Sequence, residues 1–343
     1  MINVNLSRRD FLRKTGQAAL VLGSVGTLDT IFNGCATITF EEQAPVIYPP
    51  LDGQKIQPPH NGCYIGFSKW PQPTDIERFG KIAKIYVEQL QAALSKLTFP
   101  KDFVEMLYRY RGYPFIYKTM FHSHRYGGFE NILNSKEFTK DIERYAKGAV
   151  SCGKPFFIST MREMNDNRPV PHYKEMRPWK GKPAKYCIKV WRYIWQIFED
   201  TGANEYATWV WSTIPTASTG GKLPPSNLYY PGDQYVDWIG LSAYSFADKP
   251  WMNLSFSSAV KYTYRDMRIR HPDKPMMMCE LGRTTNKNQH KWIRDAYEKI
   301  KSWPGMKAVI YWYDIRQDPA RLTEESINEL KKIFKDSYFI GAK

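Results

Sequence analysis

Phe156-Phe157-Ile158-Ser159-Thr160-Met161-Arg162-Glu163-Met164-Asn165 is an apolar run that breaks into a cluster of polar, chargeable groups. A short apolar run bounded by turn residues reads as a buried strand, and Gly153-Lys154-Pro155 supplies the turn before it. A carboxylate at the end of such a strand costs free energy unless it is paired, hydrated or used. Pro275-Met276-Met277-Met278-Cys279-Glu280-Leu281-Gly282 has the same design. The fold decides whether the chain brings Glu163 and Glu280 to one place.

Outward from these two stretches, short apolar runs alternate with longer segments of helical period. The predicted strands are 63–67, 84–87, 114–121, 156–163, 206–211, 236–244, 275–280 and 308–313. The predicted helices are 75–81, 103–108, 138–149, 186–198, 259–270, 290–301 and 324–334. Eight strands alternating with helices predict an α/β fold, a (β/α)8 TIM barrel as a single domain over residues 61–343. A doubly wound sheet is the rival. In the barrel, catalytic groups sit at the C-terminal ends of strands. Glu163 and Glu280 would end strands four and seven.

The first 35 residues read as an address. Ser7-Arg8-Arg9-Asp10-Phe11-Leu12-Arg13-Lys14 precedes an apolar stretch that is too short and Gly-rich to span a membrane. Paired arginines followed by such a stretch resemble a twin-arginine export signal. Phe32-Asn33-Gly34-Cys35 resembles a lipobox, so Cys35 is a candidate lipid anchor, with plain signal cleavage as the alternative. The expected location is periplasmic, extracellular or membrane-anchored, with the twin-arginine machinery as a partner. Residues 36–60, rich in proline, read as a tether or an extended wrap onto the domain.

The formal charge is +15. Residues 1–35 hold four basic and two acidic groups, which leaves about +13 for the rest. Such a balance favours anionic polymers or surfaces. No basic run, zinc spacing, P-loop or recognition helix accompanies it, so no nucleic-acid partner is expected. The five cysteines are too scattered for a metal site, and neither metal nor cofactor is expected. Exported destinations permit disulfides, and packed free thiols are the alternative. The 11 Trp and 23 Tyr exceed what packing needs, and aromatic faces stack on sugars.

Two carboxylates facing one cleft suit glycosidic cleavage: one donates a proton to the leaving oxygen, the other attacks the anomeric carbon. The structural alternative for each is a glutamate held by an arginine, Arg162 or Arg283. Arg162-Glu163-Met164-Asn165 resembles the acid/base segment of glycoside hydrolase family 26, whose usual form is His-Glu-Met-Asn. The stretch from Tyr230 through Asp237-Trp238-Ile239-Gly240-Leu241-Ser242-Ala243-Tyr244 is similar to that family's approach to strand six. Trp209-Val210-Trp211-Ser212 and the Glu280 segment match strands five and seven.

The resemblance implies a retaining enzyme of the β-mannanase-like clan, cleaving β-mannan, β-glucan or an exopolysaccharide without a metal. Glu163 would be acid/base and Glu280 nucleophile. Tyr244 would hydrogen-bond the nucleophile, Trp312 would floor the sugar at the cleavage point, and Trp179 would correspond to the Trp after the acid/base motif. Trp211 is a further substrate-binding candidate. From position along the chain, His122, with His124 and Arg125, would end strand three, and Trp70 would follow strand one as a stacking platform. Asp314 and Arg316 would end strand eight. Asp233 and Asp237 are expected to hold a loop. Arg162 departs from the family's His. Either it lowers the pKa of Glu163, which works against a general acid, or strand alternation aims it away, to bind a substrate carboxylate. That departure motivates the alternative function, a non-hydrolytic polysaccharide-binding or exopolysaccharide-export-associated barrel.

Overall fold

The computed structural model describes residues 46, 48–68, 79, 81, 83–88, 97–117, 126–166, 181–246, 249–284, 287–312 and 322–342. Strands β1 (Cys63–Phe67), β2 (Ile85–Glu88), β3 (Tyr113–Tyr117), β4 (Phe156–Ser159), β5 (Ala207–Thr213), β6 (Trp238–Ser245), β7 (Met276–Arg283) and β8 (Met306–Tyr311) pair in parallel, each with the next. β1 pairs with both β8 and β2, which closes the barrel and removes the sheet edges. The fold expectation holds, and the doubly wound alternative falls, because an open sheet has two unpaired edges, whereas here the last strand of the run, β8, returns to pair with β1, which also pairs with β2. A ninth strand, β9 (Phe339–Ile340), adds to the start of β1 and was not anticipated; at two residues it is too short for a periodicity signal.

The described helices are α1 (Lys101–Arg109), α2 (Lys136–Cys152), α3 (Ala184–Asp200), α4 (Phe256–Arg270), α5 (Gln289–Lys301) and α6 (Glu324–Ile333). Their starts follow capping chemistry. Ser135, Ser255 and Thr323 accept hydrogen bonds from backbone N–H groups three residues on, at the starts of α2, α4 and α6. Gly153 ends α2 in the left-handed conformation, as the Gly-Lys-Pro turn predicts.

Side-chain alternation along the strands divides the core in two. Ile85, Val87, Phe115, Phe157, Val210, Trp238, Met277, Cys279, Ala308 and Ile310 fill the barrel interior. Their neighbours, among them Ile65, Ile116, Ile158, Trp209, Trp211, Ile239, Met278 and Val309, pack with the helices. In the described part of the Pro-rich approach, Lys55 and Ile56 contact the barrel. Ile56 is buried within the interior cluster, its N–H donates to Thr208 Oγ1 at the start of β5, and Lys55 pairs with Asp237 at 3.0 Å before β6. This segment plugs the N-terminal mouth of the barrel and leaves the opposite end for chemistry.

Among the described residues Cys63, Cys152, Cys187 and Cys279 form no disulfide. Burial pushes the Cys187 thiol up to about 12 and raises Cys63 and Cys279 well above the ordinary thiol range, so they are inert packing groups. Residues 1–45 lie outside the described set, as do the export motif and Cys35 with them.

Candidate active site

β4 stops at Ser159, four residues short of the expected end, so Glu163 is not on the strand. It stands on the turn that follows, with φ +54°, in the left-handed region that a residue with a Cβ rarely adopts. The apolar run misled because Met161 and Met164 are buried like strand residues while the chain between them bends. The turn is held against β5. Glu163 N–H donates to Ser212 Oγ (2.9 Å), Met164 N–H to the Ser212 carbonyl (3.0 Å), and Asp166 N–H back to the Glu163 carbonyl (2.9 Å). Asn165 clamps the far side. Its amide accepts from Ile214 N–H and donates to the Ile214 carbonyl, both at 2.8 Å. Left-handed backbone at a non-glycine costs of order 1–3 kcal/mol, and these contacts offset it.

Glu280 reaches the same end by a different device. Leu241 pairs with Met278 but Ser242 pairs with Glu280, so β7 carries one extra residue there. Met277 and Cys279 face the barrel while Met278 and Leu281 face the helices. Strict alternation would turn Glu280 outward with Met278. The bulge turns it inward instead, where its Oε2 accepts a 2.6 Å hydrogen bond from the Tyr244 hydroxyl. Tyr244 lies on the inward face of β6, in parity with Trp238. A Cβ on Gly282 would meet the Tyr244 ring at 2.9 Å, so glycine there lets the ring reach Glu280. Trp312 continues the inward parity of Ala308 and Ile310, and its ring meets Tyr244 edge-on with centroids 6.2 Å apart.

Beneath the carboxylates lies a hydroxyl cluster that the sequence reading missed. Tyr117, fully buried at the end of β3, shares hydrogen bonds with Ser212 Oγ (3.0 Å) and Ser242 Oγ (3.2 Å). Ser212 thus links Tyr117 to the backbone of Glu163. The available signal was parity: Tyr117, Ser212 and Ser242 sit on inward positions near strand ends. Burial, then the charges of Glu280 and Glu163, raise the Tyr117 and Tyr244 hydroxyls well above the ordinary tyrosine range. Both phenols therefore stay protonated, and both sense both carboxylates, so the barrel gathers the two glutamates into one electrostatic site. Glu163 and Glu280 are each 4% exposed.

Arg162 does not follow strand alternation, because it stands beyond the strand. Its guanidinium lies 3.6 Å from Glu280 Oε1 and over the Tyr117 ring, 5.9 Å to the centroid. The arginine therefore pairs with the other carboxylate, not with its sequence neighbour. Arg283 turns away, to Ser245 Oγ (2.6 Å) and Asn253 Oδ1 (3.1 Å). Trp211 corrects an expectation. Strand alternation places it on the helix-facing side of β5, fully buried against the Tyr230 ring, so it cannot line the cleft. Asp237 accepts from Lys55 and Trp209 N–H, and Asp233 from Tyr230, so both hold loops as expected. Trp70, His122, His124, Arg125, Trp179, Asp314 and Arg316 lie outside the described residues. Among the described residues no group of three or more His, Cys, Asp or Glu is placed to hold a metal.

Residues 176–343 match the family model described as glycosyl hydrolase family 26. That span contains Tyr244, Glu280 and Trp312, and begins after Glu163. A β-1,3-xylanase of Vibrio sp. is 29% identical over 117 residues, covering 32% of this chain and 24% of that protein. Endoglucanase H of Acetivibrio thermocellus is 22% identical over 192 residues, covering 53% of this chain and 20% of that protein. The matches thus span a quarter or less of these relatives' own length. The catalytic domain of the Bacillus sp. JAMB-750 GH26 endo-β-1,4-mannanase shares the fold, with TM-score 0.64 and 13% identity over 82% of this chain and 88% of that one.

Proposed function

We propose that the chain, whose residues 176–343 match glycosyl hydrolase family 26, is a retaining glycoside hydrolase cleaving β-linked polysaccharide. The observation that carries this reading is the inward Glu280, held by Tyr244 at 2.6 Å, on the same barrel end as the clamped Glu163. Glu163 is the acid/base. Glu280 is the nucleophile, whose ionised form the Tyr244 hydroxyl and the Arg162 cation stabilise and aim. In the first half-reaction Glu280 attacks the anomeric carbon while Glu163 protonates the departing oxygen. In the second, Glu163 takes a proton from water, which displaces Glu280. Trp312 offers the aromatic face on which the sugar stacks. The names of the sequence relatives, a β-1,3-xylanase and an endoglucanase, support a β-glycan as the substrate class.

An activated 2-fluoroglycoside, with peptide mapping of the trapped adduct, tests these roles. Label on Glu280 is expected, together with near-complete loss of turnover on a β-glycan panel for Glu163→Gln and Glu280→Gln. Label elsewhere would refute the assignment. Binding of glycans without turnover by the unaltered protein would favour the non-hydrolytic alternative. That alternative draws on Arg162, an ion-pair partner where His is usual in the family.

The arginine pair and the lipobox-like Cys35 support export by the twin-arginine route, with lipidation at Cys35. Metabolic labelling with a fatty-acid analogue, lost in Cys35→Ser, is the expected outcome. Unlabelled wild-type protein would remove the anchor, and export unaffected by Arg8→Lys with Arg9→Lys would remove the route.

A further inference from the structure

We propose that Arg162 is a specificity-determining residue that recognises an anionic substituent, a carboxylate or sulfate, on the sugar at the cleavage point. This rests on the hydrolase reading above. The Arg162 side chain is 12% exposed. Its contacts among the described residues are the Glu280 carboxylate at 3.6 Å and the face of Tyr117. Neither contact is a hydrogen bond. A guanidinium carries five N–H donors in a planar fork. Among the described residues no acceptor lies within hydrogen-bond distance of this guanidinium, so its donors are open to the oxygen atoms of a ligand. A carboxylate or sulfate matches the fork with two parallel hydrogen bonds.

The placement of the cation matters as much as its donors. An ionised Glu280 alone would repel an anionic sugar from the reaction centre. Arg162 lies beside it and cancels that charge at the closest point of approach. Covalent attachment of the sugar then neutralises Glu280 by ester formation, so the Arg162 charge becomes fully available to the bound anion. The +15 formal charge of the chain, with no acidic run, concentrates a polyanionic glycan around the protein. A neutral glycan draws on neither feature.

Binding and turnover are measured separately. Glu163→Gln, which slows turnover, is titrated calorimetrically with three matched β-linked tetrasaccharides: neutral, uronate and sulfated. The anionic ligands are expected to bind about tenfold or more tighter than the neutral one. The preference is expected to vanish when Arg162→Gln is added. Arg162→Lys keeps the cation and loses the fork, and is expected to keep part of it. Agreement for one anion alone identifies the substituent. Equal binding of neutral and anionic ligands, or a preference that survives Arg162→Gln, overturns the proposal. If Arg162→Gln does not fold, the Arg162→Lys ratio decides: an unchanged preference there shows that the guanidinium reads nothing. Turnover of the same panel by the unaltered protein judges the hydrolase reading on its own. No product from any glycan would defeat that reading while the binding ratios still judge Arg162.

Discussion

Gly240→Ala should both destabilise the barrel and disable the site. A Cβ built on Gly240 lies 2.4 Å from Cys279 Sγ, 3.0 Å from Ser212 Cβ and 3.1 Å from Val210 Cγ1. Contact at 2.4 Å is well inside van der Waals distance, and all three neighbours are buried with little room to move. Overpacking of this kind costs about 1–3 kcal/mol. The strain falls on Cys279, the residue whose insertion in β7 turns Glu280 inward, and on Ser212, which holds the Glu163 backbone. Cys279→Ala removes the sulfur and most of the clash. In a double-mutant cycle, the cost of Gly240→Ala should fall by about 1 kcal/mol or more when Cys279→Ala is present. Denaturant unfolding supplies the free energies, and kcat on an activated aryl glycoside supplies the catalytic effect. Gly240→Ala should lower kcat more than it raises KM, since it displaces both carboxylates. Strictly additive free energies, or full activity in the single variant, would refute the account of how the bulge aims Glu280.

Three further outcomes are expected. Ser212→Ala leaves the Glu163 N–H and the Tyr117 hydroxyl each short of a partner, so kcat should fall about tenfold to a hundredfold with KM little changed; an unchanged kcat would show that the turn holds itself. Ile56→Ala opens the plug at the N-terminal mouth and should cost about 2–5 kcal/mol by denaturant unfolding, leaving the Glu280 label intact; a cost near zero would mean the segment only rests on the barrel. Glu329, gripped by Arg294 at 2.6 Å, has its carboxyl held below the ordinary 4.5. The stability it lends is complete above that pH and drains as acid protonates it, so the gap between wild type and Glu329→Gln should narrow below pH 4.5. A gap independent of pH would contradict the pairing.

The barrel was legible in the sequence because each strand must bury both faces, which writes apolar runs at regular spacing. Both glutamates, Tyr244 and Trp312 stood near the ends of such runs, so their gathering at one end of the barrel followed from counting. Tertiary structure alone decided the directions. The left-handed turn at Glu163 depends on Ser212, 49 residues on, and on Asn165, which clamps Ile214 across the same separation of 49 residues. The bulge at Cys279 depends on the missing side chain of Gly240, one strand over. Trp211 looks like a cleft aromatic along the chain, and only its parity against neighbouring strands shows that it faces the helices. Arg162 adjoins Glu163 in sequence and pairs with Glu280 in space. Periodicity along a chain reports burial, which is local. The aim of a side chain follows from contacts between strands, which no local pattern carries.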